Sequence, residues 1–307
     1  MSKPNIQEYI NILGDIPSFL NKYLELKILK RLKRVGYFCG MDYGSKHIYD
    51  FGYKISRYDH SLTTALITWK FTKDKRQTLL ALFHDVSTPC FSHVIDYMNK
   101  DYENQESTEE KTESILKSSR KLKQLLKEDN LTLEDITDFK QSTIVDNHRP
   151  KLCADRIDGI ILTSLGWTKK LSMKEVPNII KNIEVQTNED NELELGLKSS
   201  EVAQLLCELN KDIDTLCHSN EDNYMMELLA EITKYAIDNN YITYDNLYEY
   251  NEDKLFKLLN SINDTALQVM LNLFKKVTLE EVTIKELPKV KRRLINPLVN
   301  GKRFLTK

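Results

Sequence analysis

Residues 78–96 read TLLALFHDVSTPCFSHVID and join an apolar run directly to a His–Asp pair. The run TLLALF before His84 is apolar on every side, which predicts a helix that is buried all round. An ionised carboxylate at Asp85 then needs a partner, because burying it alone costs far more than one side chain's packing returns. A salt bridge, backbone donors at the helix end, or a metal ion would each satisfy it.

The whole chain limits the class of protein. It has 307 residues, 41% hydrophobic and 29% charged, with a net charge of −2. This balance is ordinary for a globular protein and gives no overall attraction to nucleic acid or anionic membranes. No apolar run approaches the length of a membrane span, and the N-terminus MSKPNIQEYI lacks the layout of a secretory signal. The five cysteines are odd in number and scattered, which predicts free thiols and a cytoplasmic location.

Helical periodicity dominates the chain, and nine glycines interrupt it. It predicts helices at 18–35, 59–71, 75–85, 200–217 and 224–238. The Gly- and Tyr-rich stretch 36–60 is typical of a loop with a short hairpin, and 183–197 predicts strand–turn–strand. We expect an all-α fold with a small β-hairpin element. Its organisation is a domain over 1–175 and a helical C-terminal region over 176–307, which carries the hairpin and a basic tail.

Donor side chains gather next to apolar helical stretches in three segments: RYDH at 57–60, FHD at 83–85 and CADRID at 153–158. They supply four candidate ligands of one divalent metal ion: His60, His84, Asp85 and Asp155. Two imidazoles and two carboxylates suit Mn²⁺, Fe²⁺ or Zn²⁺ better than Mg²⁺, which prefers oxygen ligands alone. The residues alone leave alternatives open: His60 as a helix cap or satisfied core residue, and Asp155 or Asp158 as an ion pair with Arg156.

The ordered segments RYDHSL, LFHD, FSHVID and ADRID resemble the HD-domain phosphohydrolase superfamily. The resemblance is greatest to the branch that contains the deoxynucleoside triphosphate triphosphohydrolases. It spans roughly residues 25–165, with a weaker similarity in the C-terminal INPLVNGKR. It implies an HD-domain helical bundle, with His60, His84, Asp85 and Asp155 as metal ligands.

The same resemblance implies roles for other residues. Arg57 would hold a phosphate, and three residues would assist proton transfer: His93, Asp96 and Glu109. Three positions depart from the family pattern: Thr88 and Glu109 stand where the branch has histidines, and Gly159 stands where a tyrosine is common. These departures put the deoxynucleoside triphosphate substrate in question. His148 is a further candidate proton donor or ligand, with a surface loop histidine as the alternative.

The sequence therefore predicts a metal-dependent phosphohydrolase that acts on a nucleotide or related phosphate ester. The alternative is a nucleotide-sensing or scaffold protein that keeps the metal site with little or no turnover. The expected partner is a phosphorylated small molecule, with no membrane. The basic tail over 284–304 leaves nucleic acid, an anionic effector or an acidic partner surface open, beside a plain solvated tail. A homo-oligomer is compatible with the sequence.

Overall fold

A computed structural model describes residues 3–105, 107–138, 141–282 and 288–305. The described part is mostly helical and carries one small sheet. The predicted basic tail begins at residue 284, so its portion over 284–287 lies outside the described residues.

The described part of the chain contains sixteen α-helices, which range from single turns to helices of nineteen residues. The N-terminal half contains α1 (Gln7–Leu13), α2 (Asn21–Leu24), α3 (Lys27–Lys30), α4 (Arg57–Thr72), α5 (Lys75–Phe83), α6 (Val94–Met98), α7 (Thr112–Ser118), α8 (Arg120–Glu128), α9 (Glu134–Thr137) and α10 (Ala154–Gly166). The C-terminal half contains α11 (Val176–Asn182), α12 (Ser200–Cys217), α13 (Asn220–Asp238), α14 (Asn246–Glu249), α15 (Glu252–Ser261) and α16 (Thr265–Lys276).

The helices predicted at 59–71 and 75–85 are present as α4 and α5, and α5 ends at Phe83. Ser56 caps α4 through a reciprocal capping box with Asp59, and Asp74 caps α5 by accepting a hydrogen bond from the backbone of Gln77. The last six residues of α5, 78–83, are all buried, as the uniformly apolar run predicts. Because α4 packs against α1, α5 and α10, its N-terminal turn lies where several helices meet.

The N-terminal basic segment is not one helix, so that prediction is wrong. Two 3-10 turns, Ser18–Leu20 and Arg31–Arg34, flank α2 and α3, and Leu26 between them is extended with ψ 136°. Leu26 and Leu29 are both buried. A continuous helix would place them away from the face that carries the regularly spaced apolar residues Leu20, Leu24, Ile28, Leu32 and Val35. The break lets both leucines reach the core, so tertiary packing overrides the local periodicity.

The predicted hairpin is confirmed as β1 (Ile183–Thr187) paired with β2 (Leu193–Leu197). The C-terminal tail then adds β3 (Leu298–Val299), which pairs in parallel with β2, and β4 (Lys302–Arg303), which pairs with β3. The sheet therefore has four strands in the order β1-β2-β3-β4. The C-terminal tail is thus part of the fold and not only a solvated segment. The Gly- and Tyr-rich loop carries a 3-10 turn and one β-bridge, between Gly36 and Ser56.

The buried apolar residues form one cluster that includes members on both sides of residue 175; the boundary there stays a prediction. The helix predicted at 200–217 is confirmed as α12, and the one at 224–238 lies within α13. All five cysteines are free thiols. Within the described ranges, none of the helices has both the length and the apolar character that crossing a membrane requires.

Arg303 on β4 joins the tail to the hairpin through a buried carboxylate. Its Nη1 and Nη2 donate to Glu194 Oε1 and Oε2 at 2.7 and 2.8 Å, and the Glu194 side chain is fully buried. Replacing Arg303 with Ala should lower the free energy of unfolding by about 3 kcal/mol, because it leaves a buried charge unpaired. Chemical denaturation measures this.

The matched control is Lys302→Ala, which removes an exposed neighbouring cation and should change stability little. Adding Glu194→Gln to the Arg303→Ala chain should restore part of the loss. Equal stability of the Arg303 and Lys302 variants would contradict the role given to this pair.

Candidate functional site

Three of the four predicted metal ligands lie together. Ligand atoms of His60, His84 and Asp155 are all within 4.8 Å of one another. Each comes from a helix end: His60 from the first turn of α4, His84 from the residue after α5, and Asp155 from the first turn of α10. Helix packing therefore assembles the group from residues 24 to 95 positions apart in the chain.

Both imidazole rings are oriented by a hydrogen bond on Nδ1. His60 Nδ1 donates to Asp158 Oδ2 at 2.7 Å, and His84 Nδ1 donates to the carbonyl oxygen of Ala81 at 2.7 Å. The Nε2 atom of each ring then faces the other ligands. Fixing one ring nitrogen in this way leaves the other as a lone-pair donor of the correct tautomer, which is how metal-binding histidines are usually held.

The spacing of the three donor atoms fits a small divalent ion. His60 Nε2 lies 3.0 Å from Asp155 Oδ1 and 3.3 Å from His84 Nε2, and His84 Nε2 lies 3.6 Å from Asp155 Oδ1. Ligands about 2.1 Å from an ion at angles of 90–109° are about 3.0–3.4 Å apart. The residues present therefore fit a metal by donor type and by distance.

The carboxylates favour positive charge at this group. Burial lowers the pKa of His60, but hydrogen bonds to Asp155 and Asp158 outweigh burial and hold that pKa well above its usual value. Burial raises the pKa of Asp155, but the hydrogen bonds from His60 and His84 outweigh it and hold that pKa well below its usual value. The acid stays anionic, and a cation would compete with protons for the two rings.

Asp85, the fourth predicted ligand, lies beside the group but faces Arg57. Its Oδ2 accepts from Arg57 Nη1 at 3.0 Å and lies 3.9 Å from His60 Nε2, while Oδ1 lies 3.8 Å from His84 Nε2. Burial raises the pKa of Asp85, but the charges of His84 and Arg57 outweigh it and hold that pKa far below its usual value. In the His84–Asp85 pair, Asp85 is therefore satisfied by its ion pair with Arg57. His84 belongs to the candidate ligand group with His60 and Asp155.

Asp158 belongs to the candidate site, and sequence reasoning assigned it no role there. It is fully buried and accepts three hydrogen bonds: from His60 Nδ1, from Tyr9 Oη at 2.7 Å and from Thr63 Oγ1 at 2.8 Å. Its position three residues after Asp155, on the same helix face, was the available signal. Nothing local in the sequence signals Tyr9, which reaches the site from α1.

A second group of ligand types adjoins the first and shares Asp155. Atoms of Asp146 and Cys153 lie within 4.8 Å of one another and of Asp155. Burial raises the pKa of the Cys153 thiol to about 12, so it is not a thiolate at neutral pH. Arg156 Nη2 lies 3.8 Å from Asp146 Oδ1 and partly neutralises it. This second group is therefore a poorer cation site than the first.

A cavity of about 220 Å³ opens beside the candidate ligands. His60 and Asp155 lie on its wall, and the wall carries six aromatic side chains: Tyr37, Phe38, Tyr49, Phe51, Tyr97 and Trp167. Phe38 and Phe51 stack with ring centroids 4.1 Å apart. Flat aromatic walls of this kind suit a planar ligand group.

Four arginines also line the cavity: Arg57, Arg149, Arg156 and Arg293. Burial, together with the charges of Arg156 and Arg293, lowers the pKa of Arg149 to about 10. The Nε atoms of Arg156 and Arg293 are buried and have no hydrogen-bond partner among the described groups. Cations held this close together repel one another, so a bound anion would relieve an existing cost.

Of the three predicted proton-transfer residues, only His93 is among the described residues of the cavity wall. His93 lines the cavity, and its Nδ1 donates to the fully buried Asp96 at 2.8 Å. Glu109 is partly buried and is not one of the described residues of the cavity wall. Its charge raises the pKa of Lys291, although burial leaves that pKa lowered overall. His148 is exposed and likewise not among the described wall residues.

Gly159 and Thr88, two of the positions that depart from the HD-domain pattern, lie in different surroundings. Gly159 lies on the cavity wall, where an added Cβ would stand 3.4 Å from Tyr37 Oη. Tyr37 therefore fills the space beside Gly159, and its ring centroid lies 5.2 Å from that of His60. Thr88 is buried and is not among the described wall residues, and its carbonyl oxygen accepts from Arg31 Nη2 at 2.5 Å.

The chain was compared with family models and with curated proteins. No family model matches it. It is 24% identical to a protein of Bacillus subtilis (strain 168) named "Uncharacterized protein YdhJ", over 92% of this chain and 85% of that protein. The similarity extends over nearly the whole chain, and the name of that protein assigns no activity.

Asp158 should control metal affinity without being a ligand. Asp158→Asn removes the charge that orients His60, so metal affinity should fall about tenfold to a hundredfold, as for other residues behind a metal-binding histidine. Titration of the metal-free protein with Zn²⁺ or Mn²⁺ measures the change.

Tyr9→Phe removes one of the three hydrogen bonds to Asp158 and should cause a smaller loss of affinity. Asp238→Asn is the control, because that side chain is 57% exposed. Unchanged affinity in the Asp158 variant would show that His60 does not depend on it.

Proposed function

We propose that this protein is a metal-dependent phosphohydrolase of the HD-domain type, acting on a nucleotide or related phosphate ester. One observation carries the proposal: His60, His84 and Asp155 converge, and two of them, His60 and Asp155, also line a cavity whose wall carries four arginines. A cation site next to a cationic wall suits a ligand whose negative charge can be shared between them.

His60, His84 and Asp155 would hold the ion, and Asp85 would join them through Oδ1, because its Oδ2 is bonded to Arg57. Mn²⁺, Fe²⁺ or Zn²⁺ fit this mixture of nitrogen and oxygen donors better than Mg²⁺. A divalent ion in such a site supplies Lewis-acid chemistry, which activates water near neutral pH and neutralises charge on a phosphoryl group.

Arg57 would orient the phosphate. Its Nη1 donates to Asp85 and its Nε donates to Ser92 Oγ, each at 3.0 Å, so the guanidinium plane is fixed. Nη2 has a long sulfur contact, 3.9 Å from Cys39 Sγ, and can donate to a phosphoryl oxygen. A rigid guanidinium beside the candidate metal ligands would fix one direction of approach for the phosphate.

His93 would move the proton to the leaving group. Its ring lies on the cavity wall, and its bond to the buried Asp96 fixes which ring nitrogen faces the cavity. A histidine held this way by a carboxylate is a common general acid or base. Glu109 is a weaker candidate than sequence reasoning proposed, because the described cavity wall does not include it.

The organic part of the substrate would lie among the aromatic side chains. Tyr49, Phe51 and Trp167 line the cavity together with Arg293 from the tail. Planar walls beside hydrogen-bonding groups favour a nucleobase over an aliphatic group. This supports a nucleotide as the substrate class and leaves the base undefined.

A nucleotide sensor that keeps the metal site is the second candidate. Two observations favour it: the Asp85 carboxylate is engaged by Arg57, and Glu109 is absent from the described cavity wall. Such a protein would bind the same ligands in a metal-dependent manner without turnover. The cavity would be the same, and only the measured rate separates the two functions.

Hydrolysis of nucleotides and generic phosphate esters should depend on the metal. Removing the ion with a chelator should abolish activity, and adding Mn²⁺, Fe²⁺ or Zn²⁺ should restore it. His84→Ala should lose both bound metal and activity, whereas His148→Ala should keep both because His148 is exposed. Metal-dependent nucleotide binding without hydrolysis in the wild type would favour the sensor.

His93 should matter for the rate and not for the metal. His93→Gln should lower the rate by roughly a hundredfold or more, as expected when a general acid is removed. Its metal content should equal that of the wild type. His148→Gln is the matched control. A His93→Gln protein with the wild-type rate would remove His93 from the mechanism.

A further inference from the structure

We propose that Glu252 is a positioning residue for Arg57, through which the C-terminal helices are coupled to the candidate metal site. The proposal rests on the proposed function only for the phosphate-binding role of Arg57. The contacts that carry it belong to Glu252 itself, to two loop segments, and to the side chain of Arg57.

The Glu252 carboxylate bridges two distant backbone segments. Glu252 is the first residue of α15 and is 2% exposed. Its Oε2 accepts from the backbone N–H of Gly36 at 2.9 Å, and its Oε1 accepts from the backbone N–H of Phe91 at 3.1 Å. A Cβ on residue 36 would lie 2.9 Å from Oε2, so glycine permits this close approach.

The first of these segments fixes the backbone of Arg57. Gly36 forms a β-bridge with Ser56, and the neighbouring carbonyl oxygen of Val35 accepts from the backbone N–H of Arg57 at 2.8 Å. Ser56 is also the residue that caps α4. Holding Gly36 therefore holds the start of the helix that carries Arg57 and His60.

The second segment fixes the side chain of Arg57. Phe91 and Ser92 have φ of 67° and 46°, a left-handed conformation that is strained for a residue other than glycine. Ser92 in this conformation presents Oγ to Arg57 Nε at 3.0 Å. The bond from Phe91 to Glu252, and a second one from the backbone N–H of Cys90 to the carbonyl oxygen of Leu247 at 2.7 Å, hold the turn in place.

A carboxylate is costly at this position. Burial raises the pKa of Glu252 to about 7, although the backbone N–H groups of Gly36 and Phe91 act to lower it. Glu252 offers what an apolar residue cannot: two acceptor atoms on one rigid group. Both its bonds go to segments that position Arg57, so we infer that the bridge sets the geometry of that guanidinium.

Glu252→Gln separates the bridge from packing, because glutamine has the same shape. Its side chain has one oxygen acceptor and one NH₂ donor, so one of the two backbone N–H groups would face a donor. We expect the Arg57 Nε–H resonance, assigned by its loss in Arg57→Lys, to shift or broaden. Affinity of the metal-loaded protein for inorganic phosphate should fall roughly tenfold, and metal content should stay unchanged.

Two further variants identify the route. Glu249→Gln is the matched control, an exposed glutamate three residues earlier, and should leave the resonance and phosphate affinity unchanged. Arg57→Ala combined with Glu252→Gln should lose no more phosphate affinity than Arg57→Ala alone, because both changes act on one group. A general structural weakening would instead add to the loss and reduce metal content.

The outcomes separate this proposal from the proposed function. An unchanged Arg57 Nε–H resonance in Glu252→Gln overturns the positioning role, whether or not phosphate binds. Failure of the metal-loaded wild type to bind phosphate overturns the phosphate role of Arg57, and the resonance still tests Glu252. If Glu252→Gln does not fold, Gly36→Ala disturbs the same contact from its other side and should give the same resonance change.

Discussion

The fully buried carboxylate of Asp158 is the constraint on which the candidate site depends. A buried charge must be satisfied, and Asp158 accepts hydrogen bonds from Tyr9 on α1, from His60 and Thr63 on α4, and itself lies on α10. Three helices are therefore required to meet at one point. Once His60 Nδ1 is directed at Asp158, its Nε2 faces Asp155 and His84, so one arrangement satisfies the packing requirement and also sets the geometry of the candidate ligand group.

Two other buried carboxylates hold more distant parts of the chain. Glu194 binds Arg303 from the tail and also accepts from the backbone N–H of Leu152 at 3.0 Å, three residues before Asp155. Glu252 ties α15 to the loops on which Arg57 depends. Each has a desolvation cost that an apolar residue would avoid. All three connect segments that are far apart in sequence, and in each case at least one segment carries or adjoins a residue of the site.

The sequence predicts the features that depend on local pattern. The helix α12, the hairpin of β1 and β2 and the buried end of α5 follow from periodicity, and the ligand types at His60, His84 and Asp155 follow from segment order. Local pattern is insufficient at Leu26, where packing breaks a helix. It also fails for the tail, which joins the sheet through strands of only two residues. Partners such as Tyr9 for Asp158 are set by the tertiary fold, which no short segment encodes.

The electrostatics of the cavity link the tail to the candidate site. The net charge of −2 hides a local separation of charge: Asp155 lies among the candidate ligands, and four arginines lie on the cavity wall. Arg293 is delivered by the tail, whose backbone N–H at that residue donates to Asp214 Oδ1 at 2.6 Å. Without an anion, Arg293 adds to the repulsion that lowers the pKa of Arg149. An anionic ligand of the kind proposed would reverse the sign of that contribution, so its binding and the placement of the tail would stabilise each other by the same free energy.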